Sequence, residues 1–245
     1  MKELIKGRKS SYPTLGTLDG PGVRFVAFLQ GCPLRCACCH NPETWDINGG
    51  TEYTAKEVAE KAERYKEYFS KDGGITISGG EPLLQAEFAA EILKLCKERG
   101  INTCLDTSGS ILNEKTEKLL DYTDYCMLDI KYTTDSQYRR YVGCGINKPL
   151  DFLERLNDKK IPTRIRQVII DNLNDDTDNI RRLAEIVRKY PCIEKTELLA
   201  FRKLCASKYQ KLGIDFPLAG TPETPQYKIK LLEAKLNEIL NEPQE

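Results

Sequence analysis

The sequence predicts an α/β fold with a mainly parallel sheet. Short runs of β-branched and other apolar residues alternate along the chain with longer amphipathic stretches, and this alternation is typical of parallel sheets. The length of 245 residues lies in the range of a single α/β barrel. Six candidate strands are fewer than the eight of a closed barrel. They therefore favour either an open doubly wound sheet or an incomplete barrel.

Each predicted strand is short and rich in apolar residues. In chain order the strands are Val23–Leu29, Ile75–Ser78, Asn102–Asp106, Cys126–Ile130, Thr163–Ile170 and Lys195–Phe201. The amphipathic stretches predict helices at Ala55–Phe69, Gln85–Arg99, Glu114–Tyr122, Leu150–Lys159, Asp178–Tyr190 and Gln226–Leu240. In the first of them Val58, Ala62, Tyr65 and Phe69 recur at helical spacing.

Composition and charge exclude several classes of protein. Lys plus Arg and Asp plus Glu number 37 each, whereas a dedicated nucleic-acid-binding protein usually has a basic face. No run of 18 apolar residues predicts a membrane span, and the first residues lack the apolar stretch of a signal peptide. We expect a soluble cytoplasmic protein with a single domain over 1–245, a core of about 18–205 and a C-terminal helical segment of about 206–245.

Polar residues follow the predicted strands, at the edge where parallel α/β folds bind their ligands. Because the carboxyl ends of parallel strands meet at one edge, we expect these groups to converge. Besides the cysteines after the first strand, the groups at strand ends are Gly79, Gly80, Glu81, Asp106, Thr107, Asp129, Lys131 and Arg202, and Arg166 lies inside the fifth strand.

Four of the ten cysteines lie between positions 32 and 39. Thiolates are soft ligands that favour zinc, copper(I) or iron–sulfur clusters. A structural zinc needs four ligands, and Cys38 or His40 could supply the fourth. Adjacent ligands at 38 and 39 would strain a tetrahedral site. With Cys32, Cys36 and Cys39 alone, a four-iron cluster keeps one iron open for a small molecule.

A disulfide oxidoreductase is another possible interpretation, because Cys36 and Cys39 have the required CxxC spacing. However, the usual thioredoxin-like context is absent from the pattern. The other six cysteines are scattered singly and are expected to be buried apolar thiols. His40 is the single histidine, so a Ser–His–Asp hydrolase is not expected.

The CxxxCxxC spacing after a first strand resembles the radical S-adenosylmethionine superfamily. Within it, the chain looks like the pyruvate formate-lyase activating enzymes from about residue 10 to about residue 200. The matching segments are DGPGVRF at 19–25, QGC at 30–32, CHN to TWD at 39–46, SGGEP at 78–82, CLDTSG at 104–109 and MLDIK at 127–131. The resemblance implies a radical SAM core with the form of an incomplete (β/α)6 TIM-like barrel.

The resemblance also implies cofactors and their ligands. Cys32, Cys36 and Cys39 would hold one [4Fe–4S] cluster, whose open iron would chelate S-adenosylmethionine. Gly79, Gly80 and Glu81 would receive the amino end of that cofactor. Its further contacts would be Cys38, His40, Asn41, Asp129, Ile130, Lys131, Arg166 and Arg202. A monovalent cation would lie among Asp106, Thr107, the Met127 carbonyl and Asp129, and Asp19 would contact the substrate loop.

The sequence departs from the family pattern at two positions. Cys38 stands where an aromatic residue usually packs near the adenine. Arg202 stands where similar enzymes carry a histidine close to the adenosine, and a guanidinium can also stack on a base.

The implied activity is reductive cleavage of S-adenosylmethionine to a 5′-deoxyadenosyl radical, which removes hydrogen from a glycine of pyruvate formate-lyase. The electron would come from a flavodoxin or ferredoxin, with no nucleic-acid or membrane partner. One alternative is activation of another glycyl-radical enzyme, such as an anaerobic ribonucleotide reductase or a decarboxylase. An alternative from a different class is a zinc-stabilised binding module.

Overall fold

A computed structural model describes residues 5–11 and 15–242. Eight strands form one sheet in the order β3-β1-β2-β4-β5-β6-β7-β8. They are β1 (Lys6–Ser11), β2 (Arg24–Leu29), β3 (Thr51–Thr54), β4 (Gly74–Gly79), β5 (Asn102–Thr107), β6 (Tyr125–Asp129), β7 (Thr163–Ile169) and β8 (Ile193–Ala200). The six strands β2 and β4 to β8 pair in parallel, and they confirm the six predicted strands.

Two further strands extend the sheet beyond β2 and were not predicted. β1 pairs antiparallel with β2, and β3 pairs antiparallel with β1. Their sequences, KGRKSS and TEYT, are polar and remain largely accessible. Because these two polar strands bury little apolar surface, they leave no hydrophobic pattern for sequence analysis to detect.

Helices cover the outside of the parallel strands. They are α1 (Ala55–Glu63), α2 (Ala86–Glu98), α3 (Glu114–Leu120), α4 (Asp135–Tyr141), α5 (Asn147–Asp158), α6 (Thr177–Lys189), α7 (Ala206–Leu212) and α8 (Gln226–Asn241). Short 3₁₀ helices occupy Pro42–Thr44, Lys66–Tyr68 and Pro82–Gln85. The first predicted helix was too long, because α1 ends at Glu63 and the chain continues into a 3₁₀ turn. The helices α4 and α7 were missed, since seven residues are too few for a clear period.

The parallel strands separate an apolar outer face from a polar inner one. Ile75, Ile77 and Leu105 are fully buried in the core beneath the helices. Since side chains alternate along a strand, the residues between them face the barrel interior, and there Ser78 and Asp106 line a cavity. The polar groups thus converge inside the barrel, as the strand ends predicted.

The last helix closes one side of the barrel. α8 packs on α6 and β8, with Ile229, Leu232, Leu236 and Ile239 buried on its inner side. None of the helices in the described ranges is long and apolar enough to cross a membrane. Residues 1–4, 12–14 and 243–245 of the predicted domain lie outside the described residues.

Candidate active site

A cavity of about 340 Å³ opens at the carboxyl ends of the parallel strands. It contains fourteen of the residues that the sequence placed in the site, from six different strand ends or loops. They are Asp19, Cys32, Cys36, Cys38, Cys39, His40, Asn41, Gly79, Gly80, Asp106, Thr107, Asp129, Lys131 and Arg166. The cavity is also lined by Phe28, Leu34, Thr44, Trp45, Ser78, Ser108, Val168 and Leu199, which the sequence analysis did not assign.

The cysteine loop lies between two short helices. At the end of α4, the Tyr141 carbonyl accepts a hydrogen bond of 2.8 Å from the Ala37 amide. On the other side, the Tyr209 hydroxyl of α7 donates to the Cys39 carbonyl at 3.2 Å. These contacts fix the backbone on both sides of Cys38. The loop is therefore held by α4 and α7, the two helices that are too short to be predicted from sequence patterns.

Burial dominates the electrostatics of the four neighbouring thiols. It raises the pKa of Cys32 to about 11 and raises the pKa of Cys36, Cys38 and Cys39 as well. Lys131 is the main positive charge that opposes this effect at Cys36 and Cys38. Thiolates in so dry a pocket need a cationic partner, and a bound metal supplies one because its ligands are deprotonated.

Gly79 and Gly80 are required by the close approach of neighbouring backbones. Gly79 has a φ of 120°, and a Cβ there would lie 2.3 Å from the Leu29 amide nitrogen. A Cβ on Gly80 would lie 2.3 Å from the Gly31 carbonyl oxygen. Both glycines therefore bring β4 against the segment that enters the cysteine loop, and both line the cavity with bare backbone.

The structure does not support the predicted ammonium contact of Glu81. This residue is 1% exposed and its carboxylate binds the loop after β5. It accepts hydrogen bonds from the Thr107 hydroxyl at 2.5 Å, from the Ser108 amide at 3.0 Å and from the Ser108 hydroxyl. The Leu83 amide donates a further bond of 3.1 Å. Because its oxygens are occupied, Glu81 holds the lining residues Thr107 and Ser108 in place and does not itself line the cavity.

Four charged side chains form a network across β5, β6 and β7. Arg166 donates to Asp129 at 2.9 Å and also contacts Asp106. Lys131 donates to Asp129 at 2.9 Å. Burial alone would raise the pKa of Asp129, but Arg166 and Lys131 lower it to about 2. The network therefore keeps Asp129 ionised, and it balances two carboxylates with two cations.

Arg166 fills the space between the two carboxylates of the predicted cation site. The Thr107 hydroxyl donates to Glu81 and accepts from the Gly109 amide, while the Met127 side chain is buried beside the Arg166 guanidinium. The oxygens of Asp106 and Asp129 are thus already paired with a cation of the chain itself. Cation binding at this position stays a prediction.

Two other expected cofactor contacts are placed elsewhere. The Ile130 side chain is fully buried in the outer apolar core, because it alternates with the inward-facing Asp129 and Lys131. The Arg202 guanidinium pairs with Glu223 at 3.2 Å and is absent from the cavity lining. Only the Arg202 carbonyl turns to the site, where it lies 3.0 Å from Nε2 of His40. The predicted adenosine contact of Arg202 is therefore not supported.

Comparison with known proteins decides the family. The radical SAM superfamily model matches residues 26–184. The pyruvate formate-lyase-activating enzyme of Clostridium pasteurianum is 44% identical over 238 residues, which cover 97% of this chain and the whole of that protein. The chain belongs to the pyruvate formate-lyase-activating enzymes of the radical SAM superfamily.

Other relatives agree with this assignment. The pyruvate formate-lyase 1-activating enzyme of Escherichia coli is 39% identical over 219 residues, covering 88% of this chain and 89% of that protein. Among solved structures, a domain of the pyruvate-formate lyase-activating enzyme from Bacteroides vulgatus aligns with a TM-score of 0.57 at 23% identity, covering 68% of this chain and 94% of that one. Streptococcus suis SuiB bound to its precursor peptide aligns with a TM-score of 0.67 at 16% identity, over 88% of this chain and 45% of that one. These structures confirm the incomplete barrel.

A radical SAM activase uses a [4Fe–4S] cluster and S-adenosylmethionine, and the cavity of this family member fits both groups. Cys32, Cys36 and Cys39 are free thiols on one wall of it, which is the soft donor set that iron–sulfur clusters take. The same cavity offers the bare backbone of Gly79 and Gly80 and the ammonium of Lys131, which suit the polar end of an amino acid.

The zinc-binding alternative is replaced by the family assignment. Within residues 5–11 and 15–242, no group of three or more His, Cys, Asp or Glu side chains is arranged to hold a single metal ion. Cys38, once a candidate fourth ligand, packs in an apolar cluster with Tyr132, Phe201 and Leu218. Its side chain thus occupies the aromatic position of the family as a small apolar group that also touches the cavity.

Several residues that build the site carry no signal in the sequence alone. Lys208 of α7 donates to the His40 carbonyl at 3.0 Å and to the Asn41 side chain at 2.8 Å. Trp45 packs edge-on against Tyr209, and the Arg35 guanidinium lies 4.9 Å from the Trp45 ring centre. The contacts of Lys208 and Tyr209 join segments more than 150 residues apart, so only the folded chain reveals them.

Proposed function

We propose that this protein installs the glycyl radical of pyruvate formate-lyase, with Cys32, Cys36 and Cys39 as the cluster ligands. One observation carries the proposal: the three cysteines line the same cavity as Asp19, Lys131 and Arg166, in a chain that is 44% identical over 97% of its length to an activating enzyme. The cluster and S-adenosylmethionine supply one-electron cleavage and hydrogen abstraction when they are bound.

The protein's own residues would bind and orient the cofactor. Asp129 holds Lys131 at the strand end, 2.9 Å away, so that its ammonium is in place for a carboxylate. Arg166 is fixed by Asp106 and Asp129, which stabilises its charge inside the barrel. Because these groups are positioned before a ligand arrives, little ordering cost remains on binding.

The same walls would protect the chemistry from water. Leu34 and Cys38 belong to an apolar cluster that includes the fully buried Phe201, and α4 and α7 close the loop on both sides. A dry cavity strengthens the electrostatic contacts inside it and prevents side reactions of a radical.

The partner is a folded protein that presents one glycine, and the electron donor is a flavodoxin or ferredoxin. Asp19 supports the first part, since its carboxylate lines the cavity from a loop that precedes β2. That loop enters from the opposite end of the barrel to the cysteines and places an acceptor where a peptide backbone could be recognised.

The deciding experiment is electron paramagnetic resonance after anaerobic mixing of the reconstituted, reduced protein with S-adenosylmethionine and pyruvate formate-lyase. We expect a glycyl-radical doublet on the partner. A parallel sample contains an anaerobic ribonucleotide reductase or a glycyl-radical decarboxylase. A doublet in that sample alone would assign the protein to the other partner, and cofactor cleavage without any doublet would contradict an activase.

A further inference from the structure

Arg24 is the largest fully buried side chain of the described residues. It begins β2, at the end of the barrel opposite the cysteines, and makes six hydrogen bonds to carbonyl, hydroxyl and amide oxygens. Burying a guanidinium costs several kcal/mol unless all its donors are satisfied. Arg24 is buried at this cost and is paired only with neutral oxygens. We infer that its role is to fix the chain segments that supply those oxygens.

Two of those segments lead to the cavity. Nη1 of Arg24 donates to the Pro21 carbonyl at 3.2 Å, and Nε donates to the Thr76 hydroxyl at 3.1 Å. The Thr76 hydroxyl in turn donates to the Asp19 carbonyl at 2.6 Å. A continuous chain of hydrogen bonds thus joins the buried cation to the backbone of Asp19.

The turn after Asp19 is closely packed. Gly20 and Gly22 have φ angles of 133° and 67°, and a Cβ on Gly22 would lie 2.5 Å from the Gly73 amide nitrogen. Gly20 is buried against Cys104 and Arg24. The turn is therefore closed on one side by backbone and on the other by the Arg24 guanidinium.

This arrangement places the half-buried Asp19 carboxylate at the cavity wall. The carboxylate lines the cavity, and none of the described residues donates a hydrogen bond to it. Burial raises the pKa of Asp19, and Arg166 is the charge that opposes the rise. A half-buried carboxylate to which no described residue donates can accept hydrogen bonds from backbone amides of an entering peptide.

We propose that Arg24 and Thr76 are positioning residues for the protein substrate, because they fix the Asp19 backbone at the cavity wall. The proposal rests on the proposed function, in which a peptide segment reaches this cavity. Arg24 and Thr76 would therefore affect the affinity for the partner protein. They would not affect cluster assembly or cofactor cleavage, since neither residue lines the cavity.

The test compares two buried threonines. Thr76 and Thr103 are both fully buried, and each hydroxyl donates to a carbonyl at 2.6 Å, Thr76 to Asp19 and Thr103 to Tyr122. The Thr103 hydroxyl also lies 2.9 Å from a carboxylate oxygen of Asp124, so Thr103→Val should cost at least as much stability as Thr76→Val. Only Thr76→Val releases the Asp19 loop. Thr76→Ser keeps the hydroxyl and serves as the rescue variant.

The reconstituted holoenzymes are assayed with pyruvate formate-lyase for KM and kcat, and without partner for methionine release. For Thr76→Val we expect KM to rise about fivefold, since one hydrogen bond contributes about 1 kcal/mol and 1.4 kcal/mol is tenfold. We expect kcat, methionine release and iron content to be unchanged. Thr76→Ser and Thr103→Val should keep the wild-type KM.

Hydrogen exchange of residues 16–23 is the second readout. Thr76→Val should accelerate exchange in this segment and Thr103→Val should not. Unchanged exchange in Thr76→Val, or faster exchange with an unchanged KM, would overturn the positioning role. A wild-type protein that fails to activate pyruvate formate-lyase would instead overturn the proposed function, and with it the partner side of this proposal.

Discussion

Lys131 and Asp129 form an ion pair of 2.9 Å at the carboxyl end of β6. The two side chains point the same way because they are two residues apart along an extended segment. Their mutual contact stabilises each charge inside the barrel, and Asp129 raises the pKa of Lys131 against the opposing effect of burial. A ligand carboxylate would therefore meet an ammonium that is charged and already oriented.

This pair predicts the effect of neutralising Lys131. Lys131→Gln should raise the dissociation constant for S-adenosylmethionine about tenfold or more, because a hydrogen bond to a charged group contributes about 1.5–3 kcal/mol. Isothermal titration of the anaerobically reconstituted protein measures the change. Lys148→Gln, at an exposed lysine, is the control, and equal affinities for the two variants would refute the contact.

The cysteine loop predicts different outcomes for neighbouring thiols. Cys36→Ala should lose the brown colour, most of the iron and all cleavage of S-adenosylmethionine, because one of the three proposed ligands is removed. Cys38→Ala should keep about four irons per chain, since Cys38 is not one of the three CxxxCxxC positions 32, 36 and 39. Iron analysis and visible absorption decide this, and loss of the cluster in Cys38→Ala would show that the ligand assignment is wrong.

The hydrogen bonds of Glu81 predict a structural effect. Glu81→Gln should lower the unfolding free energy of the cluster-free protein by about 1–3 kcal/mol, because the buried donors of Ser108 and Leu83 lose a charged acceptor. Chemical denaturation without S-adenosylmethionine measures it. If Glu81 served mainly as a ligand contact, this stability would stay at the wild-type value and only cofactor affinity would fall.

The surface pair of Arg202 predicts that its side chain is dispensable for the cofactor. Arg202→Ala should leave the dissociation constant for S-adenosylmethionine within about twofold, because the guanidinium is 41% exposed and paired with Glu223, and such pairs contribute little. Fluorescence or calorimetric titration checks this. A tenfold loss of affinity would mean that Arg202 turns into the cavity when the cofactor binds.

The pattern of apolar strands and the cysteine spacing together determined the fold class of this protein and the place of its site. Apolar runs at regular spacing gave β2 and the five parallel strands that follow it, because a strand buried on its outer face requires such residues. The order of strands then places the residues that follow them at one edge. For that reason eleven of the expected site residues could be placed together from the strand pattern and were found in one cavity. Asp19, His40 and Asn41 line the same cavity, but only the resemblance to the family implied them.

The tertiary structure alone decided which atoms of those residues face the cavity. Glu81 and Arg202 carry the right chemistry at the right positions, yet Ser108 and Glu223 bind their charges. β1, β3, α4 and α7 are too short or too polar to be detected, although α4 and α7 hold the cysteine loop. The physical reason is the same throughout: a local pattern records which face of an element is buried, whereas a side chain's partner is set by residues distant in the sequence, such as Thr76 with Asp19 and Tyr209 with Cys39.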